Sequence, residues 1–220
     1  MQKRKPSLAA IAFLLMASWP SAAQSGRLES IGPLTDNAVS QQVRDSLEPR
    51  GYRLTLDGPK SFCELWLRKS VPAQANDNPE LAYPQFAEST LLGVLHFPEA
   101  AEDFRGHPIP AGFYTLRYEL IPDDGNHLGV APNRDFVLVI PAPSDPDPNA
   151  TFKFQELVTM SAKTAGTKHP SPLSLAPVDK PSPGAVAKDD QDHWIFSALL
   201  QLASGKELPF ALIVKGTAQQ

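Results

Sequence analysis

Residues 123–136, "DDGNHLGVAPNRDF", gather side chains that could do chemistry. Asp123, Asp124, Asn126 and His127 offer carboxylate, amide and imidazole donors within one connection, the donor types that ligate a divalent metal. Arg134 and Asp135 follow at the start of an apolar run, where a guanidinium can clamp an anionic ligand or satisfy loop carbonyls. The structural alternative is equally concrete. Asp-Gly-Asn between two apolar runs is turn chemistry, because Gly tolerates positive φ and Asp and Asn bond to nearby backbone. The segment therefore reads as a self-bonded loop, with Asp123, Asp124, Asn126, His127 and Arg134 as its candidate ligand-binding residues.

A second stretch, "DPDPNATFKFQE", spaces acids like a calcium loop. Asp145, Asp147 and Asn149 fall at positions 1, 3 and 5, Thr151 at 7 and Glu156 at 12. Ala150 stands where the sharp turn needs Gly, Pro146 and Pro148 stiffen the chain, and no helix precedes it. No metal is assigned, and Asp145, Asp147, Asn149 and Glu156 are the residues a calcium ion would use. Asn149-Ala150-Thr151 is also a glycosylation sequon by pattern. His96, His107 and His127 flank strands, but alternation places His96 and His107 at one end and His127 at the other. A hydrolytic metal site built on His107, His127 and nearby acids is the runner-up to a binding role. The chain lacks the H-E-x-x-H, G-x-S-x-G and Gly-rich phosphate-binding patterns. Trp66 shares the outward phase of its strand with Phe62, Glu64 and Arg68, so it could offer a plane to a sugar, or lie under a second layer.

Elements must position these groups. Val39, Val43 and Leu47 recur at four-residue spacing, which predicts a helix capped by Thr35 or Asp36 and ended by Pro49 and Gly51. Tyr52, Leu54 and Leu56 alternate with polar residues, the period of a half-buried strand. Further strands are predicted at residues 62–68, 89–97, 113–121 and 136–140, with a closing hairpin from 193–201 and 208–215. In the 113–121 strand, Tyr114, Leu116 and Tyr118 should face the core, and Thr115, Arg117 and Glu119 should be the more exposed set. Residues 151–163 read as a short helix. Residues 164–192, rich in Pro, Ser, Ala and Lys, read as a long surface excursion. Strands in succession with turns between them favour an antiparallel β-sandwich of about seven strands with two short added helices, in a single domain over residues 24–220.

The start of the chain reads as an address. Lys3, Arg4 and Lys5 precede a ten-residue apolar core, and Ser21-Ala22-Ala23 forms a cleavage site, so residues 1–23 are expected to be a secretory signal peptide. The apolar core falls short of the ~20 residues a spanning helix needs. The product expected is a soluble exported protein, periplasmic or extracellular. Of the 20 basic and 24 acidic residues, the leader holds three basic and no acidic ones, so the mature balance is 17 − 24 = −7. That balance argues against nucleic acid or an anionic membrane surface as partner. Cys63 is the single Cys, so no internal disulfide is possible, and its place in "SFCELWLRK" suggests a buried apolar side chain.

Pro110, Gly112, Tyr114 and Leu116 form a P-x-G-x-Y-x-L pattern. It resembles the turn-and-strand of prealbumin-like, carboxypeptidase-regulatory β-sandwich modules of secreted bacterial proteins. The chain from "STLLGVLHF" through "RDFVLVIPA" is also similar to an uncharacterised exported bacterial family. The resemblance implies a compact secreted sandwich and no activity. The function expected is thus a non-catalytic binding or structural module with no cofactor. Its partner would be a small molecule, a glycan or a protein. The alternatives are the metal hydrolase and a carbohydrate-binding module using Trp66.

Overall fold

The computed structural model describes residues 26–122, 134–178 and 184–218; the leader expected over residues 1–23 lies outside them. The chain begins with β1 (Arg27–Ile31), α1 (Gln41–Ser46), β2 (Gly51–Thr55), β3 (Cys63–Leu67) and β4 (Leu91–Phe97). A small hairpin, β5 (Ala101–Glu102) and β6 (Pro108–Ile109), leads to β7 (Gly112–Leu120) and β8 (Asp135–Pro141). Then come α2 (Phe154–Ala165), β9 (Pro172–Ser174), β10 (Ala185–Lys188), β11 (Trp194–Gln201) and β12 (Glu207–Lys215). Seven strands form one antiparallel sheet in the order β1-β2-β3-β4-β7-β8-β9, and β10-β11-β12 form a second. The fold is mainly β, as the alternation predicts, and consistent with a sandwich.

The inner layer follows from period-two alternation. Cys63, Leu65 and Leu67 of β3, Tyr114, Leu116 and Tyr118 of β7 and Val137 and Val139 of β8 meet Trp194, Phe196, Ala198 and Leu200 of β11 and Phe210, Leu212 and Val214 of β12. Backbone bonds stitch the rims of the two sheets, from Val71 N–H to Gln201 O at 2.8 Å and from Ala176 N–H to Ala211 O at 3.0 Å. The turn before β7 is set by Gly112, whose φ of 153° suits only Gly. The Tyr114 hydroxyl donates back to the Pro110 carbonyl at 2.7 Å, closing that turn.

The outer face of the large sheet is also covered, which corrects the expectation that Thr115, Arg117 and Glu119 are the more exposed set. Thr115, Arg117 and Glu119 are each 0% exposed, so β7 is buried on both sides. α1 seals one half, with Leu34, Val39, Val43 and Leu47 over Trp66, Leu91 and Val94. α2 seals the other, with Leu157 over Phe136, Leu138 and Ile140. The helix at residue 41 begins later than Thr35 or Asp36 would set it. Ser40 is its cap, accepting from Val43 N–H at 3.1 Å, while Asp36 bonds Ala38 N–H in a preceding turn. A further difference lies in residues 164–192. They contribute β9 and β10, with Leu173 and Val186 in the inner core, because a short strand needs only a few apolar residues once a sheet edge is waiting.

Candidate functional site

Beneath the outer cover, Arg117 reaches from β7 into residues 145–150. Its Nε and Nη2 donate bidentately to the Asp145 carboxylate, both at 2.7 Å. Its remaining donors go to the carbonyls of Ser89, Ala150 and Asp147, each at 2.7 Å. All five guanidinium N–H groups are thereby used. Thr115 Oγ1 also donates to Asp145 at 2.7 Å, and Phe152 lies under the guanidinium at 4.9 Å. Beside it Arg68 donates to Pro148 O at 3.0 Å and Asn149 Oδ1 at 2.7 Å. Burial, and then the charge of Arg117, pull the Arg68 guanidinium below its ordinary pKa. The stretch that resembles a calcium loop is therefore held by arginines. Asp145 is ion-paired, Asp147 Oδ1 accepts Asn149 N–H at 2.9 Å, Asn149 faces Arg68, and Glu156 accepts Lys153 N–H at 2.8 Å.

Of the opening stretch, Asp123, Asp124, Asn126 and His127 lie outside the described residues. Arg134 Nε donates to Ile121 O at 3.1 Å, as a loop-satisfying Arg does. Asp135 is a buried backbone anchor. It accepts Ala82 N–H and Tyr83 N–H, both at 2.9 Å, and the Tyr118 hydroxyl at 2.7 Å. That tie fastens the long loop after β3 to the main sheet, and separation in sequence hides it.

Three of the described histidines, His96, His107 and His193, are each held by a carboxylate. His96 Nδ1 lies 3.0 Å from Glu64 and the ring stacks on Phe113 at 4.1 Å. His107 and His193 sit in two turns of identical wiring. Asp103 Oδ1 accepts the N–H groups of Arg105 and His107, with Oδ2 3.2 Å from His107 Nδ1. Asp189 does the same for Gln191 and His193, with Oδ2 3.1 Å from His193 Nδ1. The fourth position of each turn, Gly106 or Asp192, has positive φ. The spacing D-x-x-x-H occurs three times in the sequence, at Asp103–His107, Asp123–His127 and Asp189–His193, and it is the one signal that points to these clamps in advance. His107 also lies parallel to His169 at 6.3 Å between ring centroids, a neighbour not anticipated. Among the described residues no three His, Cys, Asp or Glu side chains gather as a metal site. Trp66 is buried and donates to Gly32 O at 2.9 Å, so its indole plane is covered by the α1 side of the molecule instead of facing a sugar. Cys63 is fully buried, and burial pushes its thiol well up, which removes the thiolate a nucleophile requires.

A concave site exists elsewhere. Where β1 and β2 part from β11 and β12, a cleft of about 590 Å³ opens. Leu28, Leu67 and Leu199 supply apolar lining. Ser30, Glu48, Arg50, Tyr52, Gln201 and Glu207 supply donors and acceptors. Arg50 stacks on the Tyr52 ring at 5.5 Å and donates to its hydroxyl at 3.2 Å. Gln201 donates to Glu207 at 2.8 Å across the strand pair. Tyr52 is set from behind by Phe196 at 5.1 Å. These residues come from five separate segments, so no local pattern foretold the cleft. In comparisons with protein-family models, curated proteins and solved structures, nothing matches this chain.

Proposed function

We propose that the protein is an exported, non-catalytic binding module whose ligand sits in the cleft between β1–β2 and β11–β12. The observation that carries this reading is the cleft itself, lined by three leucines, the Tyr52 ring and several polar side chains, with a volume of about 590 Å³ that falls within the ~300–1,000 Å³ range of small-molecule sites. Supporting it, the carboxylates and histidines singled out in the described part of the chain are engaged as structural clamps. The basic start, apolar core and small-residue cleavage site support export. The mixed signs of Arg50, Glu48 and Glu207 suit a polar ligand of low net charge, whether a glycan, a small zwitterion or a peptide end.

The test is a ligand panel of oligosaccharides, amino acids and short peptides, read by amide chemical-shift changes. Binding should perturb Tyr52, Gln201 and Glu207 first. Arg50→Ala and Tyr52→Phe, the latter keeping the packing on Phe196, should each weaken it about tenfold, the size of one lost hydrogen bond to a charged or buried group. Shifts clustered away from the cleft, or affinity unchanged in both variants, would move the binding site elsewhere.

A further inference from the structure

β1 is the end strand of the large sheet, and its residues Leu28 and Ser30 line the cleft. In an antiparallel ladder successive residues turn their N–H and C=O to opposite sides. The Leu54 carbonyl of β2 accepts Phe62 N–H at 2.7 Å, on the side of β3. Gly51, Arg53 and Thr55 therefore turn towards β1, where their partners in register are Ile31, Glu29 and Arg27. Leu28 and Ser30, which alternate with those partners, turn their backbone away from β2. Gly26 fixes the same phase from the other side. Its N–H leaves β2 and donates to Val186 O on β10 at 3.2 Å. Among the described residues nothing bonds to the outward N–H and C=O groups of Leu28 and Ser30.

We propose that the ligand is an extended peptide that adds to this edge as one more strand and carries an aliphatic and a basic side chain two residues apart. The proposal rests on the cleft being the binding site. A row of free N–H and C=O groups is a template for another strand, and a peptide backbone offers acceptors and donors at the same repeat. Side chains on one face of an added strand recur at every second residue. On the cleft face they meet Leu28, Leu67 and Leu199, which suit an aliphatic group, and Glu48 and Glu207, which suit a cation. Arg50 does not offset both carboxylates, since it is drawn onto the Tyr52 ring and hydroxyl. On the opposite face of β1 the Glu29 carboxylate is already paired with Arg53, so selection by charge falls to the cleft face.

A second copy of the chain fits this edge poorly. Gly26 N–H is already taken, so the antiparallel register that uses both residues of both copies sets Leu28 of one against Ser30 of the other. That register brings the Glu29 side chains of the two copies face to face, a like-charge pair across strands.

The probe is a blocked peptide, Thr-Val-Thr-Lys-Thr, added to the protein at up to millimolar concentration, with amide exchange and chemical shifts as readouts. Binding should slow exchange at Leu28 and Ser30 and shift Tyr52 and Glu207. N-methylation of one alternate set of peptide amides should abolish binding, and of the other set leave it, because only one edge of the peptide meets β1. Ser30→Pro removes an edge N–H at a place where an end strand tolerates proline. It should weaken the peptide about tenfold, the size of one lost hydrogen bond, while Ser30→Ala should bind as wild type does. If Ser30→Pro does not fold, the two N-methylated peptides decide. Unchanged exchange at Leu28 and Ser30, or equal loss from both methylated sets, overturns the proposal. An oligosaccharide that shifts Tyr52 and leaves those amides unprotected overturns it as well, but keeps the cleft as the site. Shifts confined to other surfaces for every ligand sink the cleft reading and this proposal together. Protection of both amides without peptide also overturns it: the edge is then filled by a second copy if protection grows with protein concentration, and by the chain itself if it does not.

Discussion

The two faces of β7 are equally buried and stabilised by opposite means. On the inner face Tyr114, Leu116 and Tyr118 lie among apolar side chains of both sheets. Burial there is non-directional and scales with area, at roughly 25 cal/mol per Å². On the outer face Thr115, Arg117 and Glu119 are as deeply covered, but there Arg117 is held by backbone carbonyls, the Asp145 carboxylate and the Phe152 ring. That face is stable only while its polar groups are satisfied, because an unpaired buried charge is far worse than an apolar substitute. The inner face should accept conservative swaps and the outer face should not. Where satisfaction is incomplete, as at Glu119, whose buried Oε1 has no hydrogen-bond partner among the described residues, pH dependence enters.

The sharpest way to break this contrast is at Arg117. Arg117→Ala strands the Asp145 carboxylate and three carbonyls in the interior, and the expected loss is about 3–5 kcal/mol in urea unfolding. Asp145→Asn should cost a similar order, and the double variant should cost clearly less than the sum, because the pair acts as one unit. Strict additivity would mean the two groups stabilise the fold separately. Next is the inner face, where Leu116→Ala should cost about 2–5 kcal/mol through lost transfer energy and a cavity. Leu116→Met should cost under ~1.5 kcal/mol, with the same pH profile as wild type. A Leu116→Ala loss under half a kcal/mol would show the inner layer to be loosely packed. The smallest expected effect concerns the outer cover's own seat. Ser40→Ala removes the cap on Val43 N–H and should cost about 0.5–2 kcal/mol. No measurable change in the midpoint would place α1's stability in its packing on Trp66 alone.

Alternation in β3, β7, β11 and β12 was legible in the sequence because period two is fixed by backbone geometry, whatever the tertiary context. What alternation does not reveal is what lies over the second face. Arg117 in "TLRYEL" has the residue type of a solvated position, and only residues 145–150, some 30 positions on, turn that position into an interior. The same stretch of Asp, Asn and Pro was read as a loop with calcium-like spacing; its acceptors are real, but they face a guanidinium. The cleft residues were invisible for a related reason. Pro49-Arg50-Gly51 is a helix stop when read locally, and Glu207 opens a strand. Their meeting depends on how far the small sheet diverges from the large one.

By itself the sequence determined which residues could enter a core and the period at which they would do so. It also determined the turn chemistry that separates the strands and the absence of an internal disulfide, Cys63 being single. These follow from short-range sterics, hydrophobicity and covalent chemistry. Only the tertiary structure decided that both faces of the large sheet are covered, and that Asp135 anchors Tyr83 from 52 residues away. It also decided that Arg50 and Tyr52 line a cleft with Gln201 and Glu207. Each of these contacts joins residues remote in the chain, and their proximity is set by the packing of layers. No residue carries that information in its own type or in the spacing of its neighbours.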